Sequence, residues 1–155
     1  MIWKKFWGTF EVSEEGVVRN FMTDNIITPQ KGHHGYLYVS LNYRGIRRRV
    51  RLNRVVAENF IPNPQRYKEV IFINRNKSDN RVENLIWGNR YLSVNLGKPV
   101  MMIKNNKTLR IFDSLKEAVK FGYSQKLILQ ALRDGTEYRG YLWKFKMIKN
   151  SPQKP

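Results

Sequence analysis

The sequence predicts an α+β fold assembled from small modules, and three observations predict it. Short apolar runs that alternate as strands do are interleaved with short helical segments carrying N-cap residues. Glycine, proline and asparagine punctuate the chain between these pieces, around residues 29–35, 62–64 and 97–99. Aromatic residues make up 13% of the 155-residue chain, which argues for packed cores and against a disordered basic tail. The expected order is a β-rich N-terminal module over 1–35, a central ββα unit over 36–96, a C-terminal β-hairpin plus helix-turn-helix module over 97–150, and a frayed tail over 151–155.

The charge balance narrows the partners. Against 12 Asp and Glu stand 29 Lys and Arg, a formal net charge of +17. So large a cationic excess costs self-repulsion and is best explained by a polyanion, because neutralised phosphates release condensed counterions. An anionic membrane is the rival partner, but the sequence has no run of about 18 apolar residues and no long amphipathic helix. The absence of cysteine excludes disulfides, zinc ribbons and thiol catalysis. The opening MIWKKFWGTF has no apolar stretch of signal-peptide length, so a cytoplasmic location is expected.

In chain order, Phe10–Ser13 and Val17–Phe21 are expected to pair around Glu14-Glu15-Gly16, with Trp3, Phe6 and Trp7 packed beneath. Residues 22–35 show no period, and Pro29, Gly32 and Gly35 mark a loop. From Tyr36 the signal sharpens: Leu37, Val39 and Leu41 alternate with Tyr36, Tyr38 and Ser40. After Tyr43-Arg44-Gly45, a return strand places Ile46, Arg48, Val50 and Leu52 on one side and Arg47, Arg49 and Arg51 on the other. Alternate strand residues lie roughly 6.6–6.8 Å apart, so these three guanidiniums form a ladder suited to successive phosphates. A charge run is ordinarily a solvated face, but six arginines between Arg44 and Arg54 favour phosphate contact.

A short helix is expected over residues 54–60, capped by Asn53 and ended by Pro62 and Pro64. Glu69–Ile73 reads as a strand, Asn74–Asn80 as a polar loop, Asn80–Leu85 as one helical turn, Leu85–Trp87 as a strand and Asn89–Asn95 as a helix. Beyond a Gly97-Lys98-Pro99 linker, a hairpin turns at Lys104–Lys107. Ser114-Leu115-Lys116-Glu117 is a capping box opening a helix that buries Leu115, Ala118 and Val119. A second helix runs from a Ser124 cap to about Arg133, closed by Asp134-Gly135. At about 100° per residue, Leu127, Ile128, Ala131 and Leu132 share one face, while Gln125, Lys126, Gln130 and Arg133 share the other with Leu129. Any two-helix corner has this pattern, but in so basic a chain the pair reads as a helix-turn-helix whose Gln and Arg meet base edges. Tyr138–Phe145 is a closing strand.

These motifs coincide in one order, and the chain resembles phage-type HNH homing endonucleases over nearly its whole length. Phe10-Glu11-Val12-Ser13 with Gly16-Val17-Val18-Arg19 is similar to that family's N-terminal module. Arg54-Val55-Val56-Ala57, Phe60–Pro64, Asn76–Leu85 and Trp87 are similar to its core signature. Lys98-Pro99-Val100, Phe112, Ser114, Glu117-Ala118 and Gly140 with Trp143 match its C-terminal module. The resemblance implies a ββα-metal core in the centre of the chain.

It also implies where the chemistry departs. The family's first core strand reads approximately V-(N/D)-H-I-D-G-N, and here stand Val70–Asn76. The resemblance therefore puts the metal-ligand position at Ile71, the general base at Phe72 and the second ligand at Ser93, with Asn84 kept as the brace of the loop. Asn95 cannot stand in for Ser93, because two helical steps rotate a side chain by about 200°. Arg75 replaces a glycine, and the family histidine before the first helix is Asn53. His33 and His34, the only histidines, lie in the early loop and read as solvated. The expectation is a degenerate core without catalytic residues, cofactor or metal: a double-stranded DNA-binding protein that occupies a site rather than an enzyme. Arg47, Arg49, Arg51, Lys77 and Arg81 would hold the backbone, and Gln125, Lys126, Gln130 and Arg133 would read bases. The alternatives are a residual metal-dependent nicking endonuclease and a scaffold turned to RNA or a host protein. The resemblance to phage proteins implies a phage-encoded chain acting in a bacterial cell.

Overall fold

A computed structural model describes residues 1–147; the expected tail, and the last residues of the module expected over 97–150, lie outside the described residues. The chain is mixed α+β and divides into two compact units, Met1–Gly88 and Asn89–Pro155.

In the first unit, strands β1 (Trp3–Trp7), β2 (Phe10–Ser13), β3 (Val18–Asn20) and β4 (Asn25–Ile27) form an antiparallel sheet in sequence order. Strands β5 (Gln30–Lys31), β6 (Leu37–Tyr43) and β7 (Ile46–Arg51) form a second sheet. Helix α1 (Leu52–Phe60) follows β7 without a break, and β8 (Glu69–Phe72) pairs with β9 (Leu85–Gly88). One core joins most of them: Phe10, Val12 and Val18 pack with Val39, Leu41, four residues of α1 (Leu52, Val55, Val56, Ala57), and Phe72, Leu85 and Trp87. The Trp87 indole donates to the Ile61 carbonyl at 3.0 Å, which satisfies the one polar atom of that ring inside the core.

Three local expectations change. Trp3, Phe6 and Trp7 do not lie beneath the first hairpin but form its outer strand, turned back at Gly8. Gly8 has φ +55, and a Cβ there would lie 2.6 Å from the Tyr43 ring, so only glycine fits the turn. The stretch 22–35 is not plain loop; it supplies β4, β5 and a 3-10 turn at His33–Gly35. Asn53 is not a cap but lies inside the first turn of α1, buried at 5% exposure, because Arg51 at the strand end takes the N-cap place.

The second unit opens with α2 (Arg90–Asn95), whose cap Asn89 accepts from the Leu92 amide at 3.0 Å. Strands β10 (Val100–Lys104), β11 (Lys107–Phe112), β12 (Glu137–Tyr138) and β13 (Tyr141–Phe145) form an antiparallel sheet ordered β11-β10-β13-β12. Helices α3 (Leu115–Lys120) and α4 (Gln125–Asp134) sit between β11 and β12 in the chain. The cap forms as expected, with Ser114 accepting from the Glu117 amide at 3.2 Å, but the Glu117 carboxylate reaches one residue past the cap and accepts from the Asp113 amide at 2.7 Å. Trp143, at 1% exposure, stacks on Phe112 at 5.9 Å and meets the Tyr123 edge at 5.1 Å.

The expected closing strand Tyr138–Phe145 is two strands turned at Arg139-Gly140, both residues with positive φ. Val119 is exposed rather than buried. Leu127 and Leu129 exchange roles: Leu129 is in the core with Ile128, Ala131 and Leu132, and Leu127 is 44% exposed. Either apolar arc satisfies the helical period; the direction from which β13 and α2 approach α4 selects the second. No helix among the described residues is long and apolar enough to cross a membrane.

Candidate nucleic-acid interface

The β6–β7 register places Tyr38 opposite Arg51, Ser40 opposite Arg49 and Asn42 opposite Arg47. Residues directly opposite share a face, so the three arginines stand in one row on the exposed side, as the alternation requires. Each of the last two stacks on the tyrosine diagonal to it. The Arg49 guanidinium lies 4.5 Å from the Tyr38 ring centre and that of Arg51 lies 4.7 Å from Tyr36. A guanidinium lying over a ring face can still turn its terminal N–H donors toward an acceptor.

The other expected phosphate contacts are differently disposed. Arg81 places Nε and a terminal nitrogen on the Asp79 carboxylate at 2.9 and 3.0 Å, and a further nitrogen on Glu83 at 2.6 Å. Lys77 donates to the His34 carbonyl at 2.9 Å with its ammonium 4.5 Å from the Tyr36 ring, and so ties the polar loop to the turn beside β5. On α4, Arg133 grips Asp134 through two bonds of 2.7 Å, with its side chain only 9% exposed. Donors held by carboxylates are not offered to a phosphate or base without breaking an ion pair. The outward arc of α4 therefore carries Lys126, Leu127 and Gln130, while Gln125 lies in the first turn toward the buried side.

The loop between β8 and β9 is built on amides. Asn84, 5% exposed, accepts from the Asn74 amide at 2.9 Å and donates to the Asp79 carbonyl at 2.7 Å, bridging the start and end of the loop. Asn74 in turn bonds Asp79 at 2.8 Å. Arg75 has φ +63, the left-handed region that a glycine enters without strain. The hydrogen bonds from Arg81, with a smaller contribution from Asn74, hold the Asp79 carboxyl below the usual aspartate range. Because the folded-state pKa is depressed, the stabilisation is complete above the ordinary value of about 4 and is lost as the pH falls through the folded value. Asp79→Asn is expected to cost on the order of 1 kcal/mol near neutral pH. Urea denaturation carried below the depressed folded value should bring variant and wild type together; a constant difference there would show that the carboxylate charge is not what stabilises the loop.

Ile71 and Phe72 are buried in β8, at 7% and 6% exposure, and Ser93 is exposed on α2. Neither Ile71 nor Phe72 carries an oxygen or nitrogen on its side chain, so these positions do not fit a divalent cation. Among the described residues no three His, Asp or Glu side chains come together to hold one. His33 and His34 are exposed in the 3-10 turn.

The site is a two-stranded hairpin whose connecting loop is bridged by Asn84, beside an arginine-rich sheet. Residues 50–91 match the family model described as HNH endonuclease. Two HNH endonucleases of Acanthamoeba polyphaga mimivirus are similar, one 25% identical over 146 residues and the other 30% identical over 165 aligned positions. The alignments cover 86% and 93% of this chain but 44% and 41% of those proteins, so the chain spans less than half their length. Among solved structures the HNH homing endonuclease I-HmuI, a protein that binds and cleaves DNA, shares the fold. Its TM-score is 0.55 at 21% identity, covering 96% of this chain and 99% of that one. The centre of the chain, residues 50–91, thus matches the HNH endonuclease family, and the chain as a whole is similar to proteins of that family. The expectation that it is not an enzyme is overturned, because the matched family and both viral relatives are endonucleases by name.

Proposed function

We propose that this chain binds duplex DNA as a member of the HNH endonuclease family. The outer face of β6 and β7 takes the phosphate backbone, and α3 with α4 acts as a helix-turn-helix that presents Gln130 to base edges. The carrying observation is the contrast among arginines. Arg47, Arg49 and Arg51 stand exposed in one row, and neither Arg49 nor Arg51 gives its donors to a carboxylate, whereas Arg81 and Arg133 are ion-paired. The tyrosine rings of this face are covered by cations, which favours a duplex backbone over the unpaired bases that would need bare rings.

Gln130 suits bidentate pairing with adenine, a contact worth about 1–3 kcal/mol of discrimination. Selection from random duplex DNA without divalent metal should enrich a defined motif. Gln130→Ala should lose preference at one position of that motif and keep its affinity for unselected duplex. Enrichment of no motif, or stronger competition by random RNA than by duplex DNA at both low and high salt, would contradict the reading.

A further inference from the structure

We propose that Tyr36 and Tyr38 are positioning residues: they hold the guanidiniums of Arg49 and Arg51 edge-outward before any DNA arrives. This rests on the duplex-binding reading above and adds to it a division of labour within the ladder.

The geometry repeats. Arg49 stacks on Tyr38, and Arg51 stacks on Tyr36, each tyrosine being the diagonal cross-strand neighbour of its arginine. The Tyr38 hydroxyl also accepts from Nε of Arg51 at 3.1 Å, so one tyrosine restrains two successive rungs. Both terminal amino groups of Arg51 remain for an acceptor.

Each ring is itself supported. A Cβ on Gly32 would lie 2.5 Å from Cε2 of Tyr38 and 3.3 Å from a terminal nitrogen of Arg49. With φ −99 at Gly32, the requirement is for space and not for an unusual backbone. Tyr36 rests against Phe72, ring centres 6.0 Å apart, and Phe72 is anchored in the core. Phe72, on the strand that opens the HNH loop, thus supports the ring that orients Arg51.

The third rung is different. Diagonal to Arg47, on the same face, stands Ser40, which has no ring to offer. An arginine side chain is costly to immobilise because of its many rotamers. Where a ring has already restricted it, less is lost on binding. Arg47 carries that cost at the moment of contact; Arg49 and Arg51 carry less.

The test measures affinity of the full chain for mixed-sequence duplex DNA by fluorescence anisotropy across a salt series. Tyr38→Leu should weaken binding roughly two- to fivefold, the size of an exposed cation–π contact. The slope of log affinity against log salt should not change, because the same phosphates are still neutralised. Tyr38→Phe keeps the stack and loses only the hydroxyl bond, so its loss should be smaller. Arg49→Ala should lower the slope by about 0.9. Ser40→Tyr supplies the missing ring to an exposed site and should tighten binding roughly two- to fivefold, again at constant slope. If wild type binds with a steep slope that Arg49→Ala reduces, but Tyr38→Leu and Ser40→Tyr leave affinity unchanged, the positioning role is refuted and the duplex reading stands. If wild type shows no salt-dependent binding, the duplex reading itself fails. Should Tyr38→Leu not fold, Tyr38→Phe and Ser40→Tyr decide, since neither removes a packed ring.

Discussion

Arg47, Arg49 and Arg51 replaced together by alanine are expected to lower the slope of log affinity against log salt by about three, and to weaken duplex binding at low salt by roughly two orders of magnitude or more. All three side chains are exposed on the sheet face and buttress no core residue. What their replacement removes is two exposed cation–π contacts, on Tyr38 and Tyr36, so stability should fall by no more than about 2 kcal/mol and the variant should remain folded, which separates a binding defect from a folding one. Arg81→Ala is the contrasting control. Its guanidinium is engaged with Asp79 and Glu83, so its removal should cost stability of the polar loop and leave the salt slope nearly intact. A triple variant that keeps the wild-type slope would place the phosphate contacts elsewhere. Titrating the same labelled duplex at several salt concentrations decides between these outcomes.

Asn84→Ala is expected to be among the most destabilising single polar substitutions in the first unit, at roughly 2–4 kcal/mol. The side chain satisfies the Asn74 amide and the Asp79 carbonyl from a buried position, and alanine leaves both partners without it where water has little access. Asn84→Asp is the sharper probe. It keeps an acceptor for the Asn74 amide but loses the donor to the Asp79 carbonyl and brings a second negative charge near the Asp79 carboxylate. It should be no better tolerated than alanine at neutral pH and should recover partly on acidification. Urea denaturation of both variants provides the measurement; a loss below about 0.5 kcal/mol for alanine would mean that the loop stands without its brace.

Much of this protein is legible in local pattern because the relevant physics is local. Alternation along Ile46–Arg51 is enough to put Arg47, Arg49 and Arg51 on one side of β7, since a strand has period two whatever surrounds it. Ser114, Ser124 and Asn89 are readable as caps, because a cap bonds an amide two or three residues away. Gly135, with φ +67, closes α4 where the sequence places its end. The HNH resemblance follows from spaced motifs and is upheld by the family match over residues 50–91.

What local pattern does not contain is the partner of each side chain. Leu127 and Leu129 are equally apolar, and only the packing of β13 and α2 against α4 decides that Leu129 is the buried one. Trp3–Trp7 becomes an edge strand through a turn whose glycine is demanded by Tyr43, a residue far along the chain. The candidate binding residues divide in the same way. As a list of basic side chains, Arg49, Lys77, Arg81 and Arg133 are alike. In the folded chain Arg49 is stacked on Tyr38, Lys77 is tied to the His34 carbonyl, and Arg81 and Arg133 are bound to carboxylates. Residue type and period settle which face a charge occupies, through geometry that spans a few residues. Whether that charge is offered to a partner depends on hydrogen bonds and ring contacts with neighbours brought close only by tertiary packing.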